Sequence, residues 1–387
     1  MNRKEEIING MFLMGYWKQV PSAIFLFLFL LLSPYIYGQE MINNDGKEDL
    51  IIGANAHYGW VIMHRPSMAR VITGHTSAFE LNIGKQTIGK QAWNEWYKYP
   101  IVGASYFFAD LGNPQQMGYA HSVYAWINFP LARKQTYTFS FRLGAGLGYI
   151  TKKFERVENY KNDVIGSHLN GVMHLNFENS WKLSAPLNFY TKVGITHFSN
   201  GAYKTPNLGI NICTLSMGFT YRFGHDTIHF PPKKNRIPFA DKKLFYYLTV
   251  AGGAKEIAPP DGDKYGVVSV SFAAMKQLGY KSSLGIGLDY FNDASLKPLF
   301  LSDTTFIGKN YHVARIGLVA AHELAISNVR IVMNLGYYLL SDWKANGMIY
   351  DRIGLKYYMN RHLFANVTLK THFAKADFLE MGFGYKF

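Results

Sequence analysis

The sequence predicts an all-β protein, an antiparallel membrane β-barrel of about 16 strands in two eight-strand units. Three observations lead there. Apolar residues alternate with small or polar ones at a period of two, stretch after stretch. The chain is rich in Tyr, Phe and Gly (27, 28 and 36 of 387 residues) and poor in charge, at 17%. Its final strand ends on an aromatic residue, Phe387.

Composition sets the class. Soluble domains carry about 25% charged residues, so this balance points to β-structure at an apolar boundary. A hydrophobic content of 48% excludes a wholly disordered chain. Mean hydropathy of −0.07 argues against a bundle of membrane helices. A single cysteine, Cys213, excludes an internal disulfide framework and a multi-cysteine zinc site.

The N-terminus reads as an address. Residues 23–32, AIFLFLFLLL, follow Lys4 and Lys18 and precede SPYIYGQE. As a helix this run reaches about 15 Å, half of the ~30 Å hydrocarbon core. Residues 1–38 are therefore expected to be a secretory signal peptide, cut near Gly38–Gln39. An N-terminal membrane anchor is the other reading, and it needs a longer run.

Residues 137–149 carry the alternation in full. One parity holds Tyr137, Phe139, Phe141, Leu143, Ala145, Leu147 and Tyr149; the other holds Thr138, Ser140, Arg142 and three glycines. That length exceeds the ~9–11 residues a tilted strand needs to cross a bilayer. Aromatics at both ends suit the two interfacial girdles of a membrane barrel. The pattern predicts strands at 55–64, 77–87, 99–109, 117–131, 136–152, 169–182, 187–199 and 210–223. A second set follows at 244–256, 265–277, 282–291, 311–325, 328–340, 350–359, 363–373 and 377–387.

The two sets echo one another. LSMGFTYRF (215–223) closes the first and LEMGFGYKF (379–387) the second, with THFS (196–199) and THFA (371–374) upstream of each ending. Between them residues 224–243, rich in Pro and Lys, read as a linker. The expected organisation is a signal peptide (1–38), a first barrel unit (39–223), the linker, and a second unit (244–387). One large barrel or two small tandem barrels would both fit. The terminal FLEMGFGYKF resembles the C-terminal assembly signal of outer-membrane barrels, so the barrel-assembly machinery is an expected partner during biogenesis.

One constellation carries chemistry. In the strand at 187–199, Leu187, Phe189, Thr191, Val193, Ile195, His197 and Ser199 share a parity whose apolar members mark the lipid side. His197 and Ser199 should therefore face outward at the extracellular end, with Cα atoms about 6.5–7 Å apart. An imidazole so placed can activate a hydroxyl as general base. On the next strand Asn211 shares the outward parity of Cys213, Leu215 and Met217. Polar groups on the outside of a barrel are costly unless they lie near the interface or have a use.

The segment HFSNGAYKTPNLGIN (197–211) resembles the signature of the lipid A 3-O-deacylase (PagL) family, outer-membrane barrels related in activity to acyloxyacyl hydrolases. The resemblance implies Ser199 as nucleophile, His197 as its base, and Asn207, Asn200 and the backbone near Ala202 as groups binding the oxyanion or substrate. Asn211 stands where the family carries the acid that orients the histidine. The second copy, 371–374, lacks the serine, and its parity turns Lys370 and His372 toward the lumen unless a bulge intervenes, so it reads as non-catalytic.

Other candidates are weaker. His57, His64, His75, His121, His168, His174 and His322 show no metal-ligand spacing. Gly144, Gly146 and Gly148 lie within a strand, away from any strand-to-helix loop that would bind a nucleotide. Asp261-Gly262-Asp263 reads as a turn. The net charge of +14 is unaccompanied by any nucleic-acid module, so no nucleic-acid partner is expected. Lys152, Lys153, Arg156 and Lys204 near the outer rim would attract lipid A phosphates, while Lys233, Lys234, Arg236, Lys242 and Lys243 form a solvated run in the linker. The expectation is an esterase removing an acyl chain from lipid A in the outer membrane of a Gram-negative bacterium, without metal or organic cofactor. The alternative is a non-enzymatic barrel, pore or structural, that keeps the fold.

Overall fold

The computed structural model describes residues 49–224, 230, 243–373 and 375–387. The predicted signal peptide, most of the predicted linker and Ala374 lie outside them. The first eight strands are β1 (Leu50–Val61), β2 (Thr76–Gln86), β3 (Ile101–Asp110), β4 (Tyr119–Arg133), β5 (Tyr137–Ile150), β6 (Leu169–Lys182), β7 (Leu187–Ser199) and β8 (Ile210–Phe223). The next eight are β9 (Leu244–Glu256), β10 (Lys264–Gln277), β11 (Ser282–Asp293), β12 (Ala314–Ile326), β13 (Val329–Leu340), β14 (Ile349–Tyr358), β15 (Leu363–His372) and β16 (Lys375–Lys386). Every neighbour pairs antiparallel, and each set closes on itself, β1 on β8 and β9 on β16. The two readings left open by the sequence resolve into two separate eight-stranded barrels.

Alternation decides what each barrel shows and hides. On β8 the outward residues Leu215 and Phe219 are 61% and 52% exposed, while Thr214 and Ser216, on either side of Leu215, are buried. Burying an aliphatic or aromatic side chain in lipid recovers about 25 cal/mol per Å² of apolar surface, so this face belongs against acyl chains.

Both interiors are filled by side chains. In the first, the Glu80 carboxylate, 1% exposed, meets Lys192 Nζ at 3.2 Å, Arg142 at 3.3 Å and His57 Nε2 at 3.1 Å, and Arg142 reaches Glu178 at 2.9 Å. In the second, Lys255 and Arg315 meet Asp293 at 2.8 and 2.9 Å, and Lys370 meets Asp377 at 2.6 Å. His372 is buried in the lumen against Tyr338, as its parity predicts, despite a bulge between Lys370 and Thr371. A lumen packed with ion pairs holds a small barrel rigid.

The barrels touch at both ends. At one, a short helix α1 (Ala92–Trp96) stacks Trp96 on Tyr280, and Tyr97 donates to Ala325 O at 2.9 Å. At the other, the β7–β8 loop of the first barrel meets the β9–β10 loop of the second.

Candidate active site

Register places the predicted pair. His197 lies directly opposite Asn211 on β8, and Ser199 opposite Gly171 on β6. Thr196 and Phe198, on either side of His197, are buried inward. His197 and Ser199 therefore point out of the barrel at the end of β7, above the exposed Ile195 and Val193. With no side chain at Gly171, the approach to Ser199 from β6 is open.

The histidine is oriented from behind. Its Nδ1 lies 2.7 Å from Asn211 Oδ1; since a carboxamide oxygen can only accept, Nδ1 carries the proton and Nε2 keeps its lone pair. The Asn211 amide in turn donates to His64 Nδ1 at 3.3 Å, and His64 Nε2 donates to Leu208 O at 3.0 Å. The chain His197–Asn211–His64 crosses the seam where the barrel closes, since β1 pairs with β8 and Ile62 N bonds Asn211 O at 2.7 Å. Gly209 gives the ring its room. Its φ is +81°, and a Cβ there would sit 2.9 Å from His197 Cε1.

The serine is held from the other side. Asn207 Nδ2 donates to Ser199 Oγ at 2.9 Å, and Gly201 N donates to it at 3.2 Å. The Asn207 carboxamide is aimed by its own oxygen, which accepts from Asn200 N at 3.3 Å. Asn200 spends both amide hydrogens on Ser167 Oγ and Lys204 O, at 2.8 and 2.9 Å, and so shapes the loop. Gly201 and Ala202 both take a φ of +64°, a conformation L-residues seldom adopt. Among the described residues no hydrogen bond joins Ser199 to His197: strand spacing sets them side by side, and the hydroxyl is turned toward Asn207.

Of the predicted set, the structure thus brings His197 to Asn211, and Ser199 to Asn207 and the Gly201 amide. Ala202 lies next in the chain, with its carbonyl accepting from Glu256 N at 3.1 Å. His64 was not legible as a member of the group. Its only signal is that it follows the first strand, which a closed barrel returns to the last. Three basic residues expected at the rim are engaged instead of free: Lys153 pairs with Glu155, Lys204 Nζ meets Asp261 at 2.8 Å, and Arg156 Nε meets Asp261 at 3.4 Å. The hydrogen bond between Lys204 and Asp261 raises the lysine pKa and lowers that of the carboxyl.

Two family models match the chain. That of lipid A 3-O-deacylase (PagL) matches residues 77–220, and that of the acyloxyacyl hydrolase C-terminal domain matches residues 244–387. No curated protein matches it. Solved structures similar to it include the NanC porin (7% identity, 86% of this chain and 98% of that one, TM-score 0.17). The siderophore receptor PirA from Pseudomonas aeruginosa (9%, 89% and 82%, TM-score 0.22) and an outer-membrane channel from Pseudomonas putida F1 (10%, 91% and 99%, TM-score 0.19) are others. At such scores these likenesses carry no argument about function.

Proposed function

Because the chain belongs to the lipid A 3-O-deacylase (PagL) and acyloxyacyl hydrolase family, we propose that it is an outer-membrane serine esterase that removes an ester-linked acyl chain from lipid A. The observation that carries this reading is the outward aim of Ser199 and His197 at the rim, directly above an exposed apolar strip of Val193, Ile195, Leu215 and Met217. An acyl chain lying on that strip would bring its ester to the hydroxyl without leaving the leaflet. The packed lumens speak against a pore.

The chemistry follows from the hydrogen bonds. The Ser199 hydroxyl turns from Asn207 toward His197, whose Nε2 takes its proton as Oγ attacks the ester carbonyl. That turn vacates the Asn207 Nδ2 and Gly201 N donors, which then receive the carbonyl oxygen as it gains negative charge. The C–O bond to the sugar breaks, and His197 returns its proton to the leaving alkoxide. Water, activated by the same imidazole, releases the fatty acid from Ser199. Asn211 Oδ1 holds the ring in the required tautomer throughout. It stabilises the imidazolium less than a carboxylate would.

The test is mass spectrometry of lipid A from cells producing the protein or its Ser199→Ala variant, both confirmed in the membrane. The wild type should yield lipid A lighter by one acyl chain and the variant should not. Identical acylation in the two would refute the esterase.

A further inference from the structure

Glu256 ends β9 on the outward parity of the second barrel, shared with Leu248 and Val250, which are exposed. A carboxylate there should be solvated, yet its side chain is only 2% exposed. The cover is the β7–β8 loop of the first barrel. Glu256 Oε1 accepts from Thr205 N at 3.2 Å and from Thr205 Oγ1 at 2.7 Å, and Glu256 N donates to Ala202 O at 3.1 Å. Lys264 donates to Tyr203 O at 2.7 Å, and Lys204 pairs with Asp261. Four successive residues, 202–205, are thus held by the second barrel. Leu379 and Leu369 close against Gly201, where an added Cβ would lie 3.0 and 3.2 Å from them.

Those four residues join the two donors on the nucleophile. Gly201, whose N–H reaches Ser199 Oγ, immediately precedes them, and Asn207, whose amide reaches the same oxygen, follows two residues later. The left-handed Gly201–Ala202 pair that aims the N–H is pinned at the Ala202 carbonyl by Glu256. The first barrel grips the loop at its two ends, Asn200 through Ser167 and residues 207–209 through Ile165 and Val164, and Asn200 also bonds the backbone of Lys204.

We propose that the second barrel is a positioning element for the active site of the first, and that Glu256 is the residue through which it fixes the two donors around Ser199. The inference rests on the esterase reading above. It gives the second unit, which lacks a serine of its own at the equivalent position, a part in the reaction without contact with substrate.

The experiment uses the purified full-length protein in detergent, with micellar lipid A as substrate and a fluorophosphonate as a probe of the nucleophile. A misplacement of about 1 Å can cost about 100-fold in rate. Glu256→Ala should lower kcat about 10–100-fold with KM within about twofold, and should slow phosphonate capture in parallel. Glu256→Gln, which keeps the acceptor for Thr205, should restore most of both. Thr205→Val, which removes the hydroxyl donor and keeps the backbone N–H, should lose part of what Glu256→Ala loses, and the double variant no more than Glu256→Ala. Wild-type kcat in Glu256→Ala, or a loss confined to KM, would overturn the proposal. If Glu256→Ala loses the gel-mobility shift of a folded barrel, Thr205→Val decides alone, supporting the proposal by a fallen kcat and overturning it by an unchanged one. Wild type that the phosphonate does not label at Ser199 would defeat the esterase reading and this inference with it. Wild type and variants labelled and turning over at equal rates would defeat the inference alone.

Discussion

Asn211→Asp tests whether the orienting position limits turnover. The Nδ1–Oδ1 distance of 2.7 Å puts a carboxylate charge about 4 Å from the centre of an imidazolium. At an effective dielectric of about 20 that is worth about 4 kcal/mol to the charged ring formed during acylation. Two terms oppose it. The carboxylate loses some hydration at the half-buried site, and it faces the lone pair of His64 Nδ1 at the 3.3 Å now bridged by the Asn211 amide. Relieving that clash means turning the His64 ring and giving up its bond to Leu208 O, a cost of about 1 kcal/mol. The net gain is about 1–3 kcal/mol, or about 10–100-fold in kcat. Release of fatty acid from micellar lipid A by equal amounts of folded protein measures it. An unchanged or lower kcat in Asn211→Asp, with His197 intact, would refute the assignment of Asn211 as the residue orienting the base.

Three further outcomes follow from the same geometry. Gly209→Ala forces an L-residue into φ +81° and drives its Cβ onto the His197 ring; deacylation should fall about tenfold or more while the barrel still folds, and full activity would show that the ring has freedom the contact denies. Glu80→Ala takes from Lys192 its nearest carboxylate and leaves Arg142 with Glu178 alone in the first lumen, and should destabilise the barrel by about 3–5 kcal/mol, read from its denaturant midpoint; a loss under about 1 kcal/mol would contradict the buried network. The Lys204–Asp261 pair has an acid and a base limit. The lowered Asp261 pKa makes its contribution present above the ordinary value of 3.8 and lost as pH falls through the lowered one, while the raised Lys204 pKa keeps its contribution below 10.5 and loses it as pH rises through the raised one. The thermal-stability difference between wild type and Asp261→Asn should therefore be small, level between those values, lost in acid and only reduced in base, where Arg156 still pairs with Asp261; a difference that peaks in acid would refute the pairing.

Strands were legible wherever one face meets lipid and the other a polar lumen. The spans 169–182, 187–199, 210–223 and 244–256 coincide with β6, β7, β8 and β9. β1 was misplaced, expected at 55–64 and found at Leu50–Val61. Its start, Leu50-Ile51-Ile52, is apolar on both parities, so the period is hidden there, and the apolar run through Met63 extends past the true end. Closure was illegible, because the pairing of β1 with β8 joins residues far apart in sequence; the MGFTYRF/MGFGYKF and THFS/THFA echoes and the linker between them hinted at two equal units. The same distinction divides the site. The outward aim of His197, Ser199 and Asn211 follows from local parity. His64 arrives through barrel closure, and Glu256 through docking of one barrel on another, neither of which leaves a local pattern.

The central claim is that Ser199 attacks lipid from outside the barrel. A structure of the full-length protein with a phosphonate analogue of an acylated glucosamine tests it most directly. The claim predicts phosphorus bonded to Ser199 Oγ, its oxygen within reach of Asn207 Nδ2 and Gly201 N, and the acyl chain along Ile195 and Leu215. A ligand lodged in the lumen, or bonded to any group other than Ser199, would contradict it.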